Sequence, residues 1–268
     1  MDLRLAGRRA LVTGSSAGIG KAIAAGLAAE GARVTICARR AERLRAAEAE
    51  LRARGGEVLA VAADLATEEG VERVWRAHCE AFDGGADILV NNVTGGPSPP
   101  DVLSATDADW LASYTMNLVV HVRFIRRALP GMLERGWGRI VNVASTSARQ
   151  PDDRAPTYGP AKAALVNLSK QLANLYSGRG VLTNCVCPGI TRTESAMAAA
   201  VARTARTGDD PKRVFDEYFG ARRPLPAGRF GEPEDTAALV ALLSSDLASW
   251  ITGGACIDVD GGWVKSIT

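Results

Sequence analysis

Aromatic residues are scarce in this chain: five Trp, four Tyr and five Phe make up 5% of its 268 residues. That composition suits close helix–sheet packing more than a grooved aromatic surface. Charge of one sign is lacking too, with 32 basic against 30 acidic residues and a net of +2, which argues against a nucleic-acid partner. No apolar run reaches the roughly 18 residues of a membrane span, so no membrane partner is expected. The opening MDLRLAGRRALVTG shows no apolar stretch ending at a small-residue cleavage site, so a secretory signal is not read there. Histidine is nearly absent, with only His78 and His121 and no HExxH spacing. The five cysteines (Cys37, Cys79, Cys185, Cys187 and Cys256) match neither a disulfide scaffold nor a CxxC site. No metal site is expected, and a cytoplasmic chain with reduced thiols is.

What is present is small and apolar: 47% hydrophobic residues, 28 glycines and abundant alanine. That is too apolar for disorder. Short β-branched runs alternate with helical stretches. The expected strands are Arg9–Thr13, Arg33–Cys37, Val58–Ala62, Ile88–Asn91, Arg139–Val143, Leu182–Cys187 and Cys256–Val259, each nearly continuous in apolar residues, as strands covered on both faces are. Between them, Ile19, Ile23 and Leu27 recur at helical spacing, and Leu44, Glu48 and Leu51 lie in an Ala/Glu/Arg-rich stretch. The alternation predicts an α/β Rossmann fold, a doubly wound seven-stranded parallel sheet with helices on both faces. No linker or repeat divides the chain, so residues 1–268 read as one domain. Residues 193–230 break the pattern and read as a substrate lid, placed where open α/β sheets bind ligands.

Three motifs carry chemistry. Thr13-Gly14-Ser15-Ser16-Ala17-Gly18-Ile19-Gly20 follows the first strand and opens the first helix. Glycines there permit a tight turn and let backbone N–H groups approach a pyrophosphate at the helix N-terminus. The second strand ends in Cys37-Ala38-Arg39-Arg40, without the acidic residue that grips a ribose 2′-hydroxyl. Two guanidinium groups in its place suit a 2′-phosphate, which favours NADP(H) over NAD(H). Asp64-Leu65, after the third strand, offers an acceptor for an adenine amino group. Finally, Tyr158 and Lys162 are one helical turn apart, with Ser145 upstream. A tyrosine near pKa 10 is a poor base at neutral pH, and a neighbouring ammonium favours its phenolate.

Taken together, the sequence resembles the short-chain dehydrogenase/reductase family from about Leu3 to Trp263. The resemblance rests on TGSSAGIG, Asp64-Leu65, Asn91-Asn92-Val93, Asn117, Ser145, Tyr158 with Lys162, Asn184, Cys187-Pro188-Gly189 and the closing Asp258-Val259-Asp260-Gly261-Gly262. It implies that Tyr158 is the general acid or base and that Ser145 polarises the substrate oxygen. Lys162 would bind the nicotinamide ribose and lower the tyrosine pKa, and Asn117 would hold a proton-passing water. Gly14, Ser16, Gly18, Ile19 and Gly20 would meet the pyrophosphate side. Asn91 and Val93 would line the adenosine and ribose, and Pro188, Gly189, Thr191 and Thr193 the carboxamide and pyrophosphate. A homotetramer is also implied. The chain departs from the family's NNAG at Val93 and Thr94, from its usual Ile or Val at Thr191, and from a common glutamate near Asn174-Leu175-Tyr176.

The implied activity is NADP(H)-dependent hydride transfer between a nicotinamide and a ketone or secondary alcohol. The nearest subset in look is the 3-oxoacyl-acyl-carrier-protein reductases, from PLPAGRFGEPED and the ITGG…DVDGG ending. An NAD-dependent dehydrogenase of a cyclic, sugar, steroid or polyketide-like alcohol is the alternative. So is a non-catalytic nucleotide-binding sensor, although such proteins tend to lose the tyrosine or lysine kept here. His121 and Arg123 read as a packing or subunit face, and Cys185 and Cys187 as one core face of a strand. Arg149, Asp152, Asp153 and Arg154 flank the expected substrate position. The lid is rich in base at Arg203, Arg206, Lys212, Arg213, Arg222 and Arg223, partly offset by Asp209, Asp210, Asp216 and Glu217.

Overall fold

The computed structural model describes residues 2–151, 156–221, 225–251 and 253–266. Seven strands form one parallel sheet: β1 (Arg9–Thr13), β2 (Arg33–Ala38), β3 (Glu57–Ala62), β4 (Ile88–Asn91), β5 (Gly138–Val143), β6 (Val181–Pro188) and β7 (Cys256–Val259). The expected runs match these within one residue at each end. Their order is β3-β2-β1-β4-β5-β6-β7, so the chain reverses direction of growth between β1 and β4. Helices cover both faces: α1 (Gly18–Ala29), α2 (Ala41–Ala53), α3 (Glu68–Phe82), α4 (Asp107–Tyr114), α5 (Val120–Glu134), α6 (Tyr158–Tyr176), α7 (Glu194–Thr204), α8 (Pro211–Gly220) and α9 (Pro233–Leu243).

Both faces of the sheet are dry. On one, Val12, Val34, Ile36 and Val90 meet Ile23 and Leu27 of α1, Leu44 and Leu51 of α2, and Val240 of α9. On the other, Leu11, Leu89 and Ile140 meet Val71 and Val74 of α3 and Phe124 and Met132 of α5. Strands without polar faces need this double cover, because burying such side chains contributes about 1.5–3 kcal/mol each. His121 is wholly buried, as a packing residue should be. Arg123 bonds to Ala66 O and Glu68, tying α5 to the start of α3.

The stretch after β6 has its own small core of Ala200, Val214, Phe215 and Phe230. Its basic charge is largely paired. Arg206 bonds Asp209 and Glu217, Arg213 lies near Asp209, Lys212 near Glu232, and Arg192 bridges Asp216 and Glu232. Arg222, Arg223, Asp152, Asp153 and Arg154 lie outside the described residues. No described helix is long and apolar enough to cross a membrane.

Candidate active site

The reversal between β1 and β4 opens a crevice beyond the strands' carboxyl ends, where such sheets bind ligands. Thr13 holds it together: its hydroxyl accepts from the backbone N–H of Asn92 at 2.9 Å and of Val93 at 3.0 Å. The Asn92 amide donates back to Thr13 O and Gly14 O at 2.8 and 3.1 Å. Gly14 (φ +66°) has no room for a side chain, since a Cβ there would lie 2.7 Å from Val93 Cα. Gly20 is equally confined, its Cβ position falling 2.4 Å from both Asn92 Nδ2 and Gly14 O. Val93, bulkier than the family's alanine, therefore packs directly on the glycine turn.

A cavity of about 480 Å³ lies over this turn, within the usual range for small-molecule sites. Of the expected cofactor residues, Gly14, Ser16, Gly18, Ile19, Gly20, Val93, Pro188, Gly189, Thr191 and Thr193 line it, as do Ser145, Tyr158 and Lys162. Asn91 does not. Its side chain is buried between strands and donates to Asn142 Oδ1 at 2.8 Å, because the alternation of a strand turns it away while Asn92 beyond the strand end faces the turn. Leu65 is buried and Asp64 exposed just beyond β3. Arg39 and Arg40 stand exposed just beyond β2, outside the cavity wall.

The α1 N-terminus fits a phosphate group. Ala17 precedes the helix without a capping side chain, and no acidic residue lies in its first turn, so its N–H groups face the crevice. One anion does approach: the Glu194 carboxylate accepts from Gly18 N at 3.0 Å, with Arg43 3.9 Å from its other oxygen. Glu194 and Arg43 were missed by sequence reasoning, as were Phe215 and Phe219, which line the cavity from α8. Their proximity depends on how α7 and α8 fold back, and no local motif marks it.

The polar end of the cavity is built by β5 and α6. Ser145 follows β5 in extended conformation, its hydroxyl accepting from Ser147 N at 3.1 Å. Tyr158 begins α6, and its phenol meets the hydroxyls of Ser145 and Thr94. Burial raises the phenol's pKa, opposed by those two hydroxyls. Lys162 lies one turn along, 1% exposed, with Nζ 5.7 Å from the Tyr158 ring centre and donating to Val143 O at 2.8 Å. Burial pushes this lysine down to about 8.

Asn117 is fully buried. It sits in a π-helical turn, Thr115–Val119, that joins α4 to α5. Its amide donates to Gly95 O and Ser113 O at 2.8 and 2.9 Å, so both N–H groups are engaged within the protein. Its Oδ1 accepts from the Thr94 hydroxyl at 2.6 Å. Thr94, which the sequence marked only as a departure, thus stands between Asn117 and Tyr158.

A glycine turn on a helix N-terminus, at the switch point of a seven-stranded parallel sheet and facing a Ser–Tyr–Lys group, defines a dinucleotide-binding Rossmann oxidoreductase. The short chain dehydrogenase family model matches residues 8–204, and the chain belongs to that family. It is 36% identical to the uncharacterized oxidoreductase YvaG of Bacillus subtilis, with both chains fully covered. It is 35% identical to the 3-oxoacyl-acyl-carrier-protein reductase of Aquifex aeolicus, over 98% of this chain and 99% of the relative. Among solved structures, L-sorbose reductase from Gluconobacter frateurii, complexed with NADPH and L-sorbose, superposes with a TM-score of 0.92 at 38% identity, covering both chains completely. An actinorhodin polyketide ketoreductase with NADPH gives 0.87 at 34% identity, covering 97% of this chain and 98% of the other.

Proposed function

We propose that the protein is an NADP(H)-dependent oxidoreductase that interconverts ketones and secondary alcohols, working as a carbonyl reductase. The observation that carries this reading is that Ser145, Tyr158 and Lys162 all line the cavity that the glycine turn opens, with Lys162 Nζ 5.7 Å from the Tyr158 ring centre. Similarity to NADPH-bound reductases of a sugar ketone and a polyketide supports it. Gly14, Ser16, Gly18, Ile19 and Gly20 would hold the pyrophosphate against the α1 N-terminus, displacing Glu194. Arg39 and Arg40 would take the 2′-phosphate, with Arg43 close by. Pro188, Gly189, Thr191 and Thr193 would bound the nicotinamide end.

When bound, the nicotinamide would supply or accept the hydride, and in its oxidised form would add positive charge to the site. Ser145 donates a hydrogen bond to the carbonyl oxygen, and Tyr158 delivers the proton to it. Lys162 orients the ribose and favours the phenolate that remains. Asn117 acts by positioning Thr94 and the loop after β4. The α7–α8 segment serves as the lid, because Glu194, Phe215 and Phe219 wall the cavity. Its paired basic charges favour a free small ketone over an acidic carrier protein.

The test is NADPH oxidation against a panel of hydroxyketones and 3-oxoacyl thioesters. Tyr158→Phe is expected to lower the rate at least about 100-fold, with NADPH binding retained. Binding without turnover of any carbonyl would favour the sensor reading instead. Arg39→Asp should weaken NADPH about tenfold or more while sparing NADH. Equal losses for the two would overturn the 2′-phosphate assignment.

A further inference from the structure

Behind the cavity lies a thiol cluster that the proposed reaction does not use. Cys185 and Cys187 are two residues apart on β6 and so face the same side of the sheet. β7 runs beside them, with Cys256 opposite Cys185 in register. The three Sγ atoms lie within 4.8 Å of one another, and Cys187 Sγ is 3.2 Å from Cys256 Sγ. Cys185 and Cys187 are fully buried among Ala144 and Leu165, whereas Cys256 is only partly buried. A metal with bonds of about 2.3 Å to three sulfurs holds those sulfurs roughly 4 Å apart, between the 3.2 Å of the Cys187–Cys256 pair and the 4.8 Å that bounds all three.

The surrounding charges fit a loaded site. Lys162 Nζ donates to Val143 O on β5, the strand paired with β6. Asp258, opposite Cys187 in register and on the same face as Cys256, binds Arg149 at 2.5 Å through Oδ2. Its Oδ1 is buried without a hydrogen-bond partner. We propose that Cys185, Cys187 and Cys256 form a binding site for one soft divalent d10 cation, of the zinc, cadmium and mercury class, directly behind Tyr158 and Lys162. Thiolate sulfur selects soft ions over magnesium or calcium. Three thiolates and the Asp258 carboxylate carry four negative charges. A divalent ion with Lys162 and Arg149 carries four positive ones. A monovalent ion would leave a buried negative charge uncompensated. Each thiol that becomes a ligand releases its proton to solvent, and no electron moves.

The experiment titrates the reduced full chain with Cd2+ and follows the ultraviolet thiolate-to-cadmium charge-transfer band. Saturation at one cadmium per chain is expected. Cys256→Ser should weaken binding at least about tenfold, while Cys79→Ser, at a half-buried thiol outside the cluster, should leave it unchanged. No band at one equivalent, a band undiminished in Cys256→Ser, or its loss in Cys79→Ser would each overturn the site. Should Cys256→Ser not fold, alkylation mapped by mass in mild denaturant gives the second measurement. Cadmium must then protect Cys185, Cys187 and Cys256 together, and their unprotected labelling rejects the proposal. Neither readout depends on turnover, so the site stands or falls separately from the proposed activity.

Discussion

Thr94 has one hydroxyl proton and two neighbours that want it. Asn117 Oδ1 takes it at 2.6 Å, so the hydroxyl serves a Tyr158 phenolate only by turning away from Asn117. Such a residue, on the cavity wall, sets the orientation of the reacting phenol. Thr94→Val is expected to lower kcat about tenfold, the worth of one hydrogen bond, with KM little changed. Thr94→Ser should restore most of the rate, because it returns the hydroxyl but not the methyl. Loss of KM and kcat together, with no rescue by serine, would mean that the β4 loop had shifted instead.

At the scale of elements, α1 shows how one helix can hold glycines for opposite reasons. A side chain at Gly20 would collide with Asn92 and Gly14, whereas a Cβ at Gly26 meets nothing within 4 Å. Gly26→Ala should therefore stabilise the chain by about 0.5–1 kcal/mol through better helix propensity. Gly20→Ala makes the same gain in propensity but should cost about 1–3 kcal/mol net, because the turn must move. Chemical denaturation separates the two, and a loss of nicotinamide affinity should accompany only Gly20→Ala. The motif announced the turn. It did not announce that Asn92 is the ceiling over it, since that contact spans 78 residues of chain.

Across the whole molecule, Asp87 fastens the sheet at the end opposite the cavity. Its carboxylate accepts from Arg9 N and Nε at 3.0 Å and from Arg9 Nη2 at 2.8 Å, with Arg135 Nε at 3.2 Å. Its backbone bonds β1 and β5 on either side. Burial pushes the Asp87 pKa up, but the hydrogen bonds and charges of Arg9 and Arg135 outweigh it and hold it below its ordinary 3.8. A depressed carboxylate stabilises the fold above the unfolded pKa and loses that contribution as pH falls through the folded one. Asp87→Asn should cost about 1–2 kcal/mol at neutral pH, leaving the partly exposed Arg9 and Arg135 guanidinium groups underpaired. Urea titrations of wild type and variant should converge as the pH drops below 3.8 and the wild-type carboxylate protonates.

The sequence by itself determined the strands, the doubly wound sheet, the glycine turn and the serine, tyrosine and lysine of the site. Those features are local: a buried strand needs an apolar run, a phosphate-binding turn needs glycines at set spacing, and one helical turn brings Tyr158 to Lys162. Only the tertiary structure decided that Asn91 faces the core while Asn92 faces the turn, and that Thr94 lies between Asn117 and Tyr158. It likewise brought Glu194 to the α1 N-terminus, 176 residues from Gly18, and Cys256 to Cys187, 69 residues away. Such contacts follow from strand order and from how the segment after β6 folds back, and neither is written in the spacing of neighbouring residues.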